Sequence, residues 1–264
     1  MAAFPILSLE DPSVTHEPRA DGAVAADDGA TSFFKAQNAA FHDTLSQFRG
    51  RADLLDRLWM QAFSSYERNV ADQTEGMPQL ACHKGCGTCC RLQVVATMPE
   101  VLMVARYVRA MAGGFRKVGV DLPARLAAAT AGEDGAKPMA LGRECPFLAE
   151  GVCVIYPVRP LACRGHASFD EAACTSALLG GEDDVPVSGP HHTVRALVQN
   201  ALQAALRAEH LPWGVYDLVG GLKLALAEEK GEEAFLAGED FLAPAAVDSA
   251  QRADMAAAFD QLTA

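Results

Sequence analysis

The chain has 264 residues, half of them hydrophobic, with eight cysteines and a formal net charge of −12. That length and apolar share are enough to bury a core without disulfides. The acidic balance repels phosphate backbones and anionic membrane surfaces, so neither nucleic acid nor membrane is expected as a partner.

In chain order, residues 1–30 read as a disordered N-terminal tail, rich in Ala, Asp, Gly and Pro and without apolar periodicity. The first residues show neither the basic start nor the apolar run of a secretory signal. The most apolar stretch, 101–112, is short and carries Arg106 and Arg109, so a soluble, cytoplasmic protein is expected. From Thr31 onward, Phe34, Phe41, Leu45 and Phe48 fall on one helical stripe. Leu55, Leu58, Trp59, Ala62, Phe63 and Tyr66 fall on a second, with a break near Gly50. Thr97-Met-Pro-Glu100 has the pattern of a capping box and opens a helix bearing Val101, Val104, Ala105 and Val108, which Gly113-Gly114 is expected to end. A shorter helix is expected over 123–131, followed by a polar loop at 132–138. Pro190 opens a long helix over 190–209, Pro212-Trp-Gly214 turns the chain into another over 215–229, and a last helix runs from Pro244 to the end. The fold class expected is mainly α: residues 31–264 form a single helical domain, its helices packed around an irregular cysteine-rich metal-binding region at 80–175 with at most a short β-hairpin.

All eight cysteines fall between residues 82 and 174: Cys82, Cys86, Cys89, Cys90, Cys145, Cys153, Cys163 and Cys174. In a reducing compartment such clustering points to a metal site, because soft thiolates select zinc, iron and iron-sulfur clusters. Gly85 and Gly87 fit a knuckle folded around a metal better than a helix, with a helix able to start at Cys89. Cys86 and Cys89, spaced C-x-x-C, can bind one ion. The side chains of Cys89 and Cys90 are expected to diverge, so that they serve different metal atoms or one of them packs in the core. The stretch 143–153 reads as two extended pieces around a Glu150-Gly151 turn that brings Cys145 and Cys153 together. Pro157 and Pro160 are expected to hold an extended ligand loop leading to Cys163 and to prevent a helix there. Cys174, in a helical piece, is as easily a ligand as a packed residue.

Lys84, Arg91, Arg143, Arg159 and Arg164 lie next to cysteines in a chain that is acidic elsewhere. Neighbouring cations lower thiol pKa and offset the charge that thiolates bring to a metal. His83 and His166 are candidate fourth or fifth ligands but read better as hydrogen-bond donors beside the ligands or as exposed residues, and His191-His192 as solvent-facing.

The pattern Cys82-x3-Cys86-x2-Cys89-Cys90, followed by Cys145-Pro-Phe-Leu-x-x-Gly-x-Cys153-x-Ile-Tyr-x-x-Arg-Pro-x-x-Cys163-Arg-Gly-His166, resembles the YkgJ-type cysteine-cluster family, also described as the CxxCxxCC zinc- or iron-chelating domain. The resemblance covers residues 80–175. It implies metal chelation and a distant kinship with the cysteine-rich part of flagellin lysine-N-methylases. No S-adenosylmethionine motif can be identified, so that activity is not carried over. Three readings follow. The preferred one is an iron-sulfur or iron protein acting in electron transfer or as an accessory redox protein, with a protein or redox partner. The second is a structural zinc module that works through protein contacts. The third is an enzyme, either a protein-modifying methyltransferase or an iron-dependent one. The chain lacks H-E-x-x-H, a phosphate-binding glycine loop, G-x-S-x-G and C-x-x-C-H, so no residue outside the cluster carries a catalytic signature.

Overall fold

The computed structural model describes residues 29–129, 144–181 and 184–263. The tail expected over 1–30 falls outside the described residues up to residue 28, as do the polar loop at 132–138 and Arg143.

Helix α1 (Gly29–Phe48) buries Phe34, Phe41 and Leu45, and α2 (Leu54–Gln73) buries Leu55, Leu58, Ala62, Phe63 and Tyr66, so both apolar stripes face the core. Gly50, at φ +76°, makes the break between them, a conformation glycine adopts without a Cβ penalty. A two-residue strand β1 (Val95–Ala96) leads into α3 (Met98–Lys117). The Thr97–Glu100 capping box is present, with Pro99 in the first turn. Helix α3 does not stop at Gly113-Gly114 but runs through both. Burial of Phe115 rewards another turn, and that outweighs a helix cost of about 1 kcal/mol per glycine.

Helix α4 (Leu122–Ala128) is capped by Asp121. Strands β2 (Leu148–Ala149) and β3 (Val152–Cys153) form an antiparallel hairpin, its turn made by Glu150 and Gly151 at φ +49° and +75°. The expected ban on helix after Tyr156 does not hold. Pro157 sits in the first turn of a 3-10 segment, Tyr156–Val158, and Pro160 is the N-cap of α5 (Leu161–Gly165). Proline obstructs a helix interior, but its fixed φ suits a helix start.

Helix α6 (Glu171–Leu178) carries Cys174 and is capped by Asp170. The long α7 (Gly189–Ala208) packs on α1, α2 and α5. Strand β4 (Tyr216–Asp217) pairs antiparallel with β1, Ala96 opposite Tyr216, and opens α8 (Leu218–Ala227), which packs on α3. Helix α9 (Gly231–Leu236) follows. The chain ends with a 3-10 turn at Ala243–Ala245 and α10 (Arg252–Thr263), which starts eight residues later than Pro244. Among the described residues the architecture is mainly helical with two two-stranded sheets, and no helix is long and apolar enough to cross a membrane.

Candidate metal centre

The cysteine region is tied to the helical core by apolar anchors set two residues from its cysteines. Phe147, Ile155 and Leu161 are at most 2% exposed and stand beside Cys145, Cys153 and Cys163 respectively. The Leu148 N–H closes a turn on the Cys145 carbonyl (2.9 Å) around Phe147, and Ile155 leads the chain from Cys153 into the 3-10 turn at Tyr156–Val158, so each cysteine lies next to a residue fixed in the core.

The first block forms the expected knuckle. Gly85 has φ +100°, the Cys86 N–H donates to the His83 carbonyl (3.1 Å), and the chain enters a 3-10 turn at Thr88–Arg91. Gly87 lies flat against the hairpin: a Cβ there would come within 2.9 Å of the Leu148 side chain. The Cys145 N–H donates to the Cys90 carbonyl at 2.7 Å, joining the two blocks at the backbone. At the other end, the Ala81 N–H donates to the Ser168 carbonyl (3.0 Å), and the Ser168 N–H points at Cys82 Sγ (3.4 Å).

Helix α5, which carries Cys163, is held from three sides. The Glu100 carboxylate, buried at the head of α3, accepts from the Leu161 N–H at 2.7 Å while also accepting from Thr97 N–H and Oγ1 at 2.8 Å. It therefore caps two helices at once. The Tyr66 hydroxyl of α2 donates to the Arg164 carbonyl at 2.7 Å. Gly165 sits against α7 so closely that a Cβ would be 2.6 Å from Arg195 Cβ and Cγ.

These supports divide the cysteines into two groups. Cys89, Cys145, Cys153 and Cys163 form a complete set in which every pair is close enough for each thiol to feel the charge of the others. Cys82 instead feels Cys86, Cys89 and Cys174. Burial pushes Cys145 up to about 11 and raises Cys153 and Cys163 as well. Cys89 is raised by its hydrogen bond with the Cys90 thiol and by burial. The four thiols are thus protonated near neutrality, and among the described residues no three His, Cys, Asp or Glu side chains stand as a ready-made single-ion site.

The cations differ sharply in their surroundings. Lys84 and Arg91 are exposed, and Arg91 lies 3.6 Å from Glu144. Arg164 is committed to Glu67 (2.9 Å), to the Arg159 and Pro157 carbonyls (both 3.3 Å) and to the Phe63 ring. Arg159 lies over the Tyr156 ring at 4.3 Å, and its charge favours the thiolates of Cys89, Cys153 and Cys163. His83 is exposed between the Lys84 carbonyl and Glu171, both of which raise its pKa. His166 is half-buried, and burial lowers its pKa. His191 and His192 are half-buried rather than solvent-facing, since the first turn of α7 packs on the cysteine region. His191 bonds Ser188 Oγ at 2.7 Å and meets the Tyr66 ring edge-on. The spacing of His191, Arg195 and Gln199 along one face of α7 was the available signal for a buried polar stripe.

Residues 81–178 match the family model described as CxxCxxCC: Putative zinc- or iron-chelating domain. That segment includes all eight cysteines, together with the knuckle, the hairpin, α5 and α6. Comparison with curated proteins gave no match, and comparison with solved structures gave none.

Proposed function

We propose that this chain holds iron, most naturally as an iron-sulfur cluster, through Cys89, Cys145, Cys153 and Cys163, and serves as an electron carrier or accessory redox protein. The observation carrying this reading is the complete mutual set made by those four thiols, drawn from three separate stretches of chain. Four thiolates suffice for a four-iron cluster. A set of cysteine donors is compatible with the zinc or iron chelation named in the matching family description. When bound, such a cluster would supply one-electron chemistry. The protein's part is to hold the four sulfurs, to bury them beside Phe147, Ile155 and Leu161, and to place a cation beside them. Cys82, Cys86 and Cys174 form an outer group beside this centre, with Cys90 adjoining Cys89 in the 3-10 turn.

The test is metal and acid-labile sulfide analysis with a visible spectrum, on protein expressed with ample iron and purified without oxygen. Brown protein containing iron and sulfide supports the reading. Colourless protein with stoichiometric zinc replaces it with a structural or binding module, and protein that takes up neither metal sinks it. Cys145→Ser and Cys163→Ser are expected to abolish the spectrum, whereas Cys174→Ser keeps it. Loss in Cys174→Ser with retention in Cys163→Ser would mean that the ligand set is wrong.

A further inference from the structure

Arg159 carries a feature that the helical fold does not account for. Its Nε–H is buried and meets no hydrogen-bond acceptor. A buried donor left unpaired is expensive, and an orphan of this kind is expected where an acceptor arrives from outside the protein. No carboxylate is paired with Arg159 among the ion pairs of the described residues, whereas Arg164, five residues on, has Glu67, two carbonyls and an aromatic face. The side chain is also held in place: the guanidinium rests on the Tyr156 ring, and its backbone lies between the 3-10 turn containing Pro157 and the N-cap Pro160. The adjoining cation Arg164 adds like-charge repulsion, so positive charge accumulates beside the cysteines of a protein whose net charge is −12.

We propose that Arg159 is the charge-compensating donor of the metal centre, its Nε–H held for a ligand thiolate or inorganic sulfur that becomes an acceptor only when metal binds. The inference rests on the tetrathiolate reading above. Four thiolates around a divalent ion or a cluster of that charge leave the centre anionic, and a fixed guanidinium offsets that excess while pairing its own orphan donor. A positive charge beside a redox centre also favours its reduced, more negative state. Arg159 is thus a positioning and tuning residue and not a ligand.

The experiment compares the full chain with Arg159→Gln and Arg159→Lys. Metal-free, reduced samples are unfolded in denaturant, and Co(II) affinity is measured by chelator competition through the thiolate-to-cobalt charge-transfer band. Arg159→Gln is expected to be about as stable as the parent without metal, because loss of the guanidinium's contact with the Tyr156 ring is offset by removing the unpaired Nε–H and the repulsion with Arg164. It is expected to bind Co(II) about 10-fold or more weakly, in the range found when groups supporting metal ligands are removed, with an unchanged band. Arg159→Lys, which keeps the charge without the planar donor, falls between the two. After reconstitution with Fe(II) and sulfide, the Arg159→Gln cluster has a more negative midpoint potential. Parent-like Co(II) affinity in Arg159→Gln, or weakening fully explained by lost stability of the metal-free protein, overturns the proposal and leaves the tetrathiolate reading standing. Failure of the parent chain itself to bind Co(II) or to be reconstituted removes the tetrathiolate reading and this inference with it.

Discussion

Replacing Glu100 with Ala removes one carboxylate that closes two helices and balances a buried cation. Its oxygens accept from Thr97 N–H, Thr97 Oγ1 and Leu161 N–H at 2.7–2.8 Å, and from Gln199 Nε2 at 3.4 Å, at a site 4% exposed. Arg195, 7% exposed and pushed by burial toward the neutral form, is held charged in part by Glu100. Hydrogen bonds to an ionised acceptor contribute about 1.5–3 kcal/mol each. Loss of a buried carboxylate that favours the charged form of Arg195, without forming an ion pair with it, adds to that cost. The contributions overlap, so Glu100→Ala is expected to lose about 4 kcal/mol, which for a chain of this size lowers Tm by roughly 10 °C. Glu100→Gln keeps the volume and one acceptor oxygen but offers an NH2 group to donors, and is expected to lose about half as much. Guanidinium unfolding of the metal-free, reduced protein, followed by far-UV circular dichroism, measures both. A loss below about 1 kcal/mol in Glu100→Ala would refute the claim that this carboxylate joins α3 to α5.

Two further outcomes follow from the same contacts. Gly165→Ala drives a methyl group into Arg195 Cβ and Cγ, where there is 2.6 Å of room, so α5 must shift away from α7. A stability loss of about 1–3 kcal/mol is expected, with weaker metal binding because Cys163 moves too, and a parent-like melting curve together with parent-like metal affinity would contradict it. In the metal-free protein, burial raises the Cys145 thiol from 9.0 to about 11. The unfolded chain therefore ionises first as pH rises, and stability is full below pH 9 and declines from there toward pH 11. The raised thiols of Cys89, Cys153 and Cys163 act in the same direction. Metal-loaded protein, whose thiols are already deprotonated, should show a flatter profile over that range, and metal affinity should fall as pH drops because protons compete for sulfur. Denaturant midpoints measured across pH 7–11 with and without metal check both signs.

The parts of the fold governed by local rules were legible in the sequence. The stripes of α1 and α2, the Thr97–Glu100 box, the glycine knuckle and the Glu150-Gly151 hairpin turn all follow from periodicity or from backbone conformations that few residues adopt. Features governed by distant partners were not legible. Nothing near Gly113-Gly114 announces that Phe115 will be buried, and nothing near Glu100 announces that its second oxygen caps a helix 61 residues away. The β1–β4 pair escaped notice because two residues are too few to show alternation. The prolines misled by position, since the same residue type breaks a helix interior and favours a helix start.

The candidate site shows the same division between local and distant determinants. All eight cysteines could be named from their clustering, but not which of them the fold carries toward one another. The 3-10 turn at Thr88–Arg91 and the bond from Cys145 N–H to Cys90 carbonyl carry Cys89 toward the second block, while Cys82 stays with Ser168 and α6. Cys145 and Cys153 stand two residues from the buried Phe147 and Ile155, and Cys163 lies in α5, which Glu100, Tyr66 and Gly165 hold against the helical core. Each of these supports is made of core packing or buried hydrogen bonds that need no metal. Under the proposed tetrathiolate centre, metal binding therefore deprotonates and draws together thiols on a scaffold already folded, rather than folding the chain around an ion.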